Sequence, residues 1–178
     1  DVINSKEVRG VTFTGSERAG ASIASTAGKA LKKTVMELGG SDPFIVLDDA
    51  DLDMAVKMAV EERLSNCGQV CTSPKRIIVM NNVVDQFLEK AKAMFEEIVI
   101  GDPLDNDTDL GPLVNMDALE KVLQQVNDTD NEGATLGCGG EKLDSPCAFM
   151  KPAILTGIRP GTVSYRQEIF GPVLALYS

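Results

Sequence analysis

Histidine and tryptophan are absent from the 178 residues, and aromatic residues make up only 4% of the chain. Without imidazole, Ser-His-Asp and Cys-His catalysis are excluded, as are most catalytic zinc designs. Chemistry must therefore run on carboxylates, thiols, lysines or a bound cofactor. No apolar run approaches the roughly 20 residues needed to span a bilayer. The opening Asp1-Val2-Ile3-Asn4 has no Met, no basic n-region and no apolar h-region, so it is not a signal peptide. It reads instead as the middle of a longer chain. Basic residues are in deficit, 17 against 27 acidic ones, for a net charge of −10. That balance argues against nucleic acid and anionic membrane as partners, because neither polyanion attracts a surface of like sign. Cysteine is sparse: Cys67, Cys71, Cys138 and Cys147. Two disulfides are arithmetically available, but nothing else suggests secretion, so reduced thiols in a cytoplasmic protein are expected. Cys138 and Cys147 are spaced too loosely to complete a zinc site with Cys67 and Cys71, and no metal is expected.

What is present is an ordinary globular composition, 43% hydrophobic and 25% charged. It suits one domain, or one domain plus part of another. Strand and helix signals alternate. Val8 to Thr14 is β-rich and ends in Gly15-Ser16, and an Ala-rich helix is expected from about Glu17 to Lys32. Thr34 to Leu38 is a short apolar run stopped by Gly39-Gly40. Phe44 to Leu47 reads as a buried strand, followed by acids suited to a helix start; that helix is expected to reach about Asn66. Lys75 to Met80 is another strand. Val83, Val84, Phe87, Leu88, Ala91, Met94, Phe95 and Ile98 recur at helical spacing, as do Leu119, Val122, Leu123 and Val126. Gly101-Asp102-Pro103, Asp105 to Asp109 and Gly139 to Pro146 are loop clusters. The alternation predicts an α/β fold, with a mostly parallel sheet covered on both faces. No internal repeat or low-complexity segment is present.

Four constellations carry candidate chemistry, each with a plainer reading beside it. Phe13-Thr14-Gly15-Ser16 with Gly20 puts a glycine turn between strand and helix, the arrangement that aims N–H groups at phosphate; equally, Ser16 is a simple N-cap. Glu37 ends an apolar run before two glycines, where partial desolvation makes a carboxylate a better base. The alternative is a strand-end carboxylate facing water. Cys71, in Asn66-Cys67-Gly68-Gln69-Val70-Cys71, sits in a turn where a thiol is exposed enough to act as nucleophile, although most cysteines are small buried hydrophobes. Glu168 and Phe170, in Glu168-Ile169-Phe170-Gly171-Pro172-Val173, point the same way on an extended chain and suit a ribose and a flat ring. Otherwise they are a strand-entry ion pair and a core aromatic.

In their order these motifs resemble the aldehyde dehydrogenase superfamily over essentially the whole chain. The resemblance rests on Phe13-Thr14-Gly15-Ser16, Glu37-Leu38-Gly39-Gly40, Asp48-Asp49-Ala50-Asp51-Leu52, Gly68-Gln69-Val70-Cys71, Gly111-Pro112-Leu113 and Glu168 to Val173. The interval from Glu37 to Cys71 also fits the family.

The resemblance implies an aldehyde-dehydrogenase-like α/β fold, mostly parallel sheets flanked by helices. Residues 1–37 would be the end of a Rossmann-like NAD(P)-binding domain and residues 38–178 most of a catalytic domain. It implies that Cys71 attacks the aldehyde to give a thiohemiacetal, its oxyanion met by the Cys71 N–H and an Asn amide. Hydride transfer to the nicotinamide then leaves a thioester, and Glu37 activates the water that hydrolyses it. Gly15, Ser16, Gly20, Leu38 and Gly39 become residues of the NAD or NADP site, with Glu168 on a ribose hydroxyl and Phe170 against the nicotinamide. Cys67 matches no general catalytic position. The Asn and the adenosine-ribose Lys belong to an upstream segment not in this chain, so isolated residues 1–178 are expected not to turn over. A small aldehyde is the implied partner, and a homodimer or homotetramer the implied assembly. The run Glu37 to Asp51 is most similar to bacterial succinate-semialdehyde dehydrogenases, but Ser65 stands where many of those carry an Arg for the substrate carboxylate, with Arg63 close by. Acyl transfer to coenzyme A, and a non-catalytic binding or assembly domain, are the alternatives.

Overall fold

Strands and helices are interspersed along the described residues, 2–178, of the computed structural model, which falls into two units divided after Gly40. The first contains β1 (Gly10–Thr14), α1 (Glu17–Lys29) and β2 (Lys33–Glu37). The two strands run parallel, with Gly10 opposite Lys33 and Thr14 opposite Glu37. The Ser16 hydroxyl accepts from the Ala19 N–H at 3.3 Å, so the N-cap reading of Ser16 holds. The helix stops at Lys29 rather than Lys32, because the chain reverses through Leu31 at φ 53°. Gly20 is buried against Leu38; a Cβ there would lie 2.6 Å from a Leu38 methyl. Only Gly20 and Ala27 are buried among the described residues of this unit.

The second unit, Ser41–Ser178, contains β3 (Pro43–Val46), α2 (Leu52–Leu64), β4 (Arg76–Val79), α3 (Val84–Glu97), α4 (Met116–Asn131), β5 (Thr135–Cys138), β6 (Ala153–Thr156), α5 (Val163–Arg166) and β7 (Val173–Tyr177). Its five strands lie in the order β3-β4-β7-β6-β5. All neighbours are parallel except β5 and β6. The central strand β7 is buried from Val173 to Leu176, the continuous apolar run that a parallel strand covered on both faces needs. Phe87, Ala91 and Phe95 from α3, and Leu119, Val122 and Val126 from α4, fill the same core as Ile77, Ile154 and Leu174. Asp51 and Asn115 cap α2 and α4, accepting from the N–H groups of Met54 (3.1 Å) and Ala118 (2.9 Å). No helix among the described residues is long and apolar enough to cross a membrane.

One expectation is corrected here. The Phe44–Leu47 run is not a buried strand: β3 is an edge strand, paired only with β4, and Ile45 is 62% exposed. Leu47 and Met80 are exposed beside it, so the sheet is open at this corner. A run of apolar residues has the same appearance whether one face or both are covered.

Candidate active site

The turn that carries Cys71 begins where α2 gives out. Asn66, Cys67 and Gly68 adopt φ of 48°, 58° and 70°, three successive left-handed residues that reverse the chain. Asn tolerates this region and Gly is indifferent to it, whereas Cys67 has no such ease. Hydrogen bonds compensate. The Asn66 amide donates to the Gln69 carbonyl at 3.2 Å, and the Gln69 amide donates back to the Asn66 carbonyl at 3.1 Å. The Gln69 side-chain oxygen accepts from the Val114 N–H at 3.0 Å. The reversal sends the two thiols to opposite environments. Cys67 is buried, and burial pushes its thiol up to about 12 despite the nearby Arg63. Cys71 is exposed, and its backbone N–H donates to no described residue. All four cysteines are free.

Two buried cations hold this turn against the Glu168–Val173 segment. Arg63, fully buried at the end of α2, donates to the carbonyls of Gly68 (3.2 Å), Ile169 (3.0 Å), Val173 (2.8 Å) and Gly171, and to the Ser73 hydroxyl (2.7 Å). Burial pushes its guanidinium down to about 10, partly offset by Glu168. Its donors are taken by four carbonyls and the Ser73 hydroxyl, and its side chain is fully buried, so Arg63 is not available for a substrate carboxylate. Gly68 closes the joint: a Cβ there would collide with the Gly171 carbonyl. Lys75, 5% exposed, reaches into the joint from the start of β4. Its Nζ lies 2.7 Å from the Val70 carbonyl, 2.6 Å from the Cys71 carbonyl and 3.2 Å from Glu168 Oε1. That oxygen is buried and has no aligned hydrogen bond, so the Lys75 contact is an ion pair. Glu168's other oxygen has no protein partner among the described residues.

Phe170 is 40% exposed, with Lys75 Nζ 5.9 Å from its ring centroid. Glu168 and Phe170 therefore do converge, but from an irregular segment rather than a strand, since β7 starts only at Val173. From α4, buried Gln125 donates to the Glu168 carbonyl and the Gln167 side chain, each at 3.1 Å. Lys75 and Gln125 were not among the residues the sequence singled out. Their acceptors are mostly backbone carbonyls, which carry no residue identity and leave no sequence signal.

The remaining predicted residues belong to the first unit. Gly15, Ser16, Gly20, Glu37, Leu38 and Gly39 gather at the C-terminal ends of β1 and β2, where the Gly15 N–H donates to the Glu37 carbonyl at 3.0 Å. Glu37 is exposed there rather than desolvated, because β2 pairs with a single strand and the apolar run before it covers little. Glu37 and Cys71 thus fall in different units.

Beside the Cys71 turn, an open cleft of about 520 Å³ is lined by Glu61, Leu64, Ser65, Asn66, Glu97 and Asp109, among others. Three of its lining residues are carboxylates, Glu61, Glu97 and Asp109, and among the described residues no lysine or arginine lines it.

Residues 1–178 match the model of the aldehyde dehydrogenase family. The chain is 48% identical over 176 residues to the succinate-semialdehyde dehydrogenase [NADP(+)] of Deinococcus radiodurans, covering 99% of this chain and 37% of that protein. It is 45% identical to the Mycobacterium avium enzyme of the same name, with the same coverage. The solved succinic semialdehyde dehydrogenase from Streptococcus pyogenes, in complex with NADP+, superimposes with a TM-score of 0.95 at 49% identity, over 99% of this chain and 39% of that one. The chain thus spans little more than a third of the length of these relatives. With a family match along its full length, an α/β architecture to suit and relatives near half identical, the chain belongs to the aldehyde dehydrogenase family.

Proposed function

We propose that this chain carries the nucleophile and part of the cofactor grip of an NAD(P)-dependent aldehyde dehydrogenase, with Cys71 as the attacking thiol. Its main support is the Cys71 turn: an exposed thiol whose own N–H has no partner among the described residues, on backbone pinned by Arg63 and Lys75. The first unit is the end of the cofactor domain in this reading, and the second is most of the catalytic domain. Cys71 Sγ adds to the aldehyde carbon, and the oxygen that becomes negative is received by the free Cys71 N–H, a donor already aimed and costing no reorganisation. Once the adduct is oxidised to a thioester on Cys71, Glu37 takes a proton from water, whose oxygen bonds to the acyl carbon as the C–S bond breaks, releasing the acid and the Cys71 sulfur.

The residues present fit a nicotinamide cofactor. Glu168 keeps one oxygen without a protein partner for a hydroxyl donor, beside the exposed face of Phe170, and α1 presents its N-terminal N–H groups after Gly15. When bound, that cofactor supplies the two-electron acceptor. NADP is the form named for the relatives above, and their substrate, succinate semialdehyde, is the first aldehyde to assay. A carboxylate at Glu37 favours water over coenzyme A as acyl acceptor. The test is aldehyde-dependent NADP+ reduction by the intact protein carrying this chain. Cys71→Ser is expected to lower the rate by at least about 10³-fold, since a serine without a strong base is a poor nucleophile, and Cys67→Ser by far less. Activity lost with Cys67 and kept without Cys71 would refute the assignment.

A further inference from the structure

We infer that Lys75 is a positioning residue that couples the nucleophile turn to the cofactor-holding carboxylate, an inference that rests on the functional reading above. A buried ammonium is costly unless its donors are satisfied. Here two of its donors meet the Val70 and Cys71 carbonyls, at 2.7 and 2.6 Å, and the charge is paired with Glu168 Oε1 at 3.2 Å. With two carbonyls and a carboxylate around its ammonium and the side chain 4% exposed, Lys75 is enclosed by the protein's own groups rather than presented to a substrate. What it does is mechanical. One ammonium fixes where the Cys71 main chain lies and which oxygen of Glu168 stays free, with the Phe170 ring alongside. Arg63 braces the same two segments but touches neither Cys71 nor the Glu168 side chain through a hydrogen bond. Lys75 is therefore the direct link between the thiol's backbone and the carboxylate. An arginine would not replace it, because a planar fork cannot meet three acceptors that converge on one point.

A double-mutant cycle tests this, with Lys75→Met, Glu168→Gln and the pair in the intact protein, reading KM for NADP+ and kcat separately. Lys75→Met is expected to raise the NADP+ KM about tenfold and lower kcat about tenfold, while the aldehyde KM moves less than about twofold. Glu168→Gln should raise the NADP+ KM by a similar factor, and the pair should raise it little further. Effects that multiply to about a hundredfold, or a Lys75→Met protein that is less stable yet keeps both constants, would overturn the coupling. A second readout needs no turnover: iodoacetamide labelling of Cys71 relative to exposed Cys147, in wild type and Glu168→Gln. Freeing one of the Lys75 contacts should change that ratio at least about threefold, and an unchanged ratio overturns the inference even if Lys75→Met fails to fold. A wild-type protein inert toward aldehyde and NADP+ would fail the functional reading alone, leaving the labelling ratio to decide the coupling.

Discussion

Cys67 and Cys71 belong to one short turn, yet burial gives them opposite chemistry. The motif match already set Cys71 apart in the sequence, but the contrast in environment was not legible there. It depends on the left-handed backbone at Asn66 and Cys67, and no residue type demands that at Cys67. The buried thiol makes stability depend on pH. Its folded value, about 12, lies above the ordinary 9.0 of an unfolded thiol. The contribution is thus fully present below about pH 9 and is lost as pH rises toward 12. Burial raises Cys138 and Tyr177 as well, so they add a decline of the same sign. Denaturant midpoints measured between about pH 8 and about pH 10.5 should therefore fall, and Cys67→Ala should fall less steeply than wild type. Identical slopes in the two proteins would mean that Cys67 is not protonated and buried as described.

At the scale of elements, the junction between the Cys71 turn and the Glu168–Val173 segment depends on Arg63. Replacing it with Met removes the guanidinium and strands carbonyls of Gly68, Ile169, Gly171 and Val173 in the interior. A loss of about 3–5 kcal/mol is expected by chemical denaturation, the usual scale for breaking a buried charged network; a loss below about 1 kcal/mol would show that the joint holds without it. Helices were the easiest part of the fold to read. The repeats at Val84–Glu97 and around Leu119–Val126 give α3 and α4 their buried faces, and Asp51 caps α2. Strands were harder. Ala153-Ile154-Leu155 is completely buried in β6, but three apolar residues between loops give no period to detect. The edge position of β3 is not legible in its sequence, because exposure is set by what lies beyond the strand, not by its own residues. The partners of Lys75 and Arg63 are illegible for a related reason: most are backbone carbonyls, and three of those that Arg63 meets, on Ile169, Gly171 and Val173, are more than a hundred residues away.

The whole molecule is uneven in how well its parts are buried. Among the described residues of the first unit, Leu31 is 95% exposed and only Gly20 and Ala27 are buried, whereas β6 and β7 in the second are almost wholly enclosed. Local opening is governed by such differences, so in the isolated 178-residue chain hydrogen exchange should be faster in β1 and β2 than in β4, β6 and β7. Equal protection across the two units would contradict that ranking. Cys71 and Glu37 lie on either side of the same boundary, and the roles proposed for them permit a direct test of the central claim. In the Glu37→Gln form of the intact protein, hydrolysis of the acyl-enzyme should stall while its formation continues. Mixing that variant with succinate semialdehyde and NADP+, quenching in acid and mapping the peptides by mass should find a succinyl thioester on Cys71, with Cys67, Cys138 and Cys147 unmodified. NADP+ reduction with no adduct on Cys71, or an adduct on another cysteine, would contradict the account.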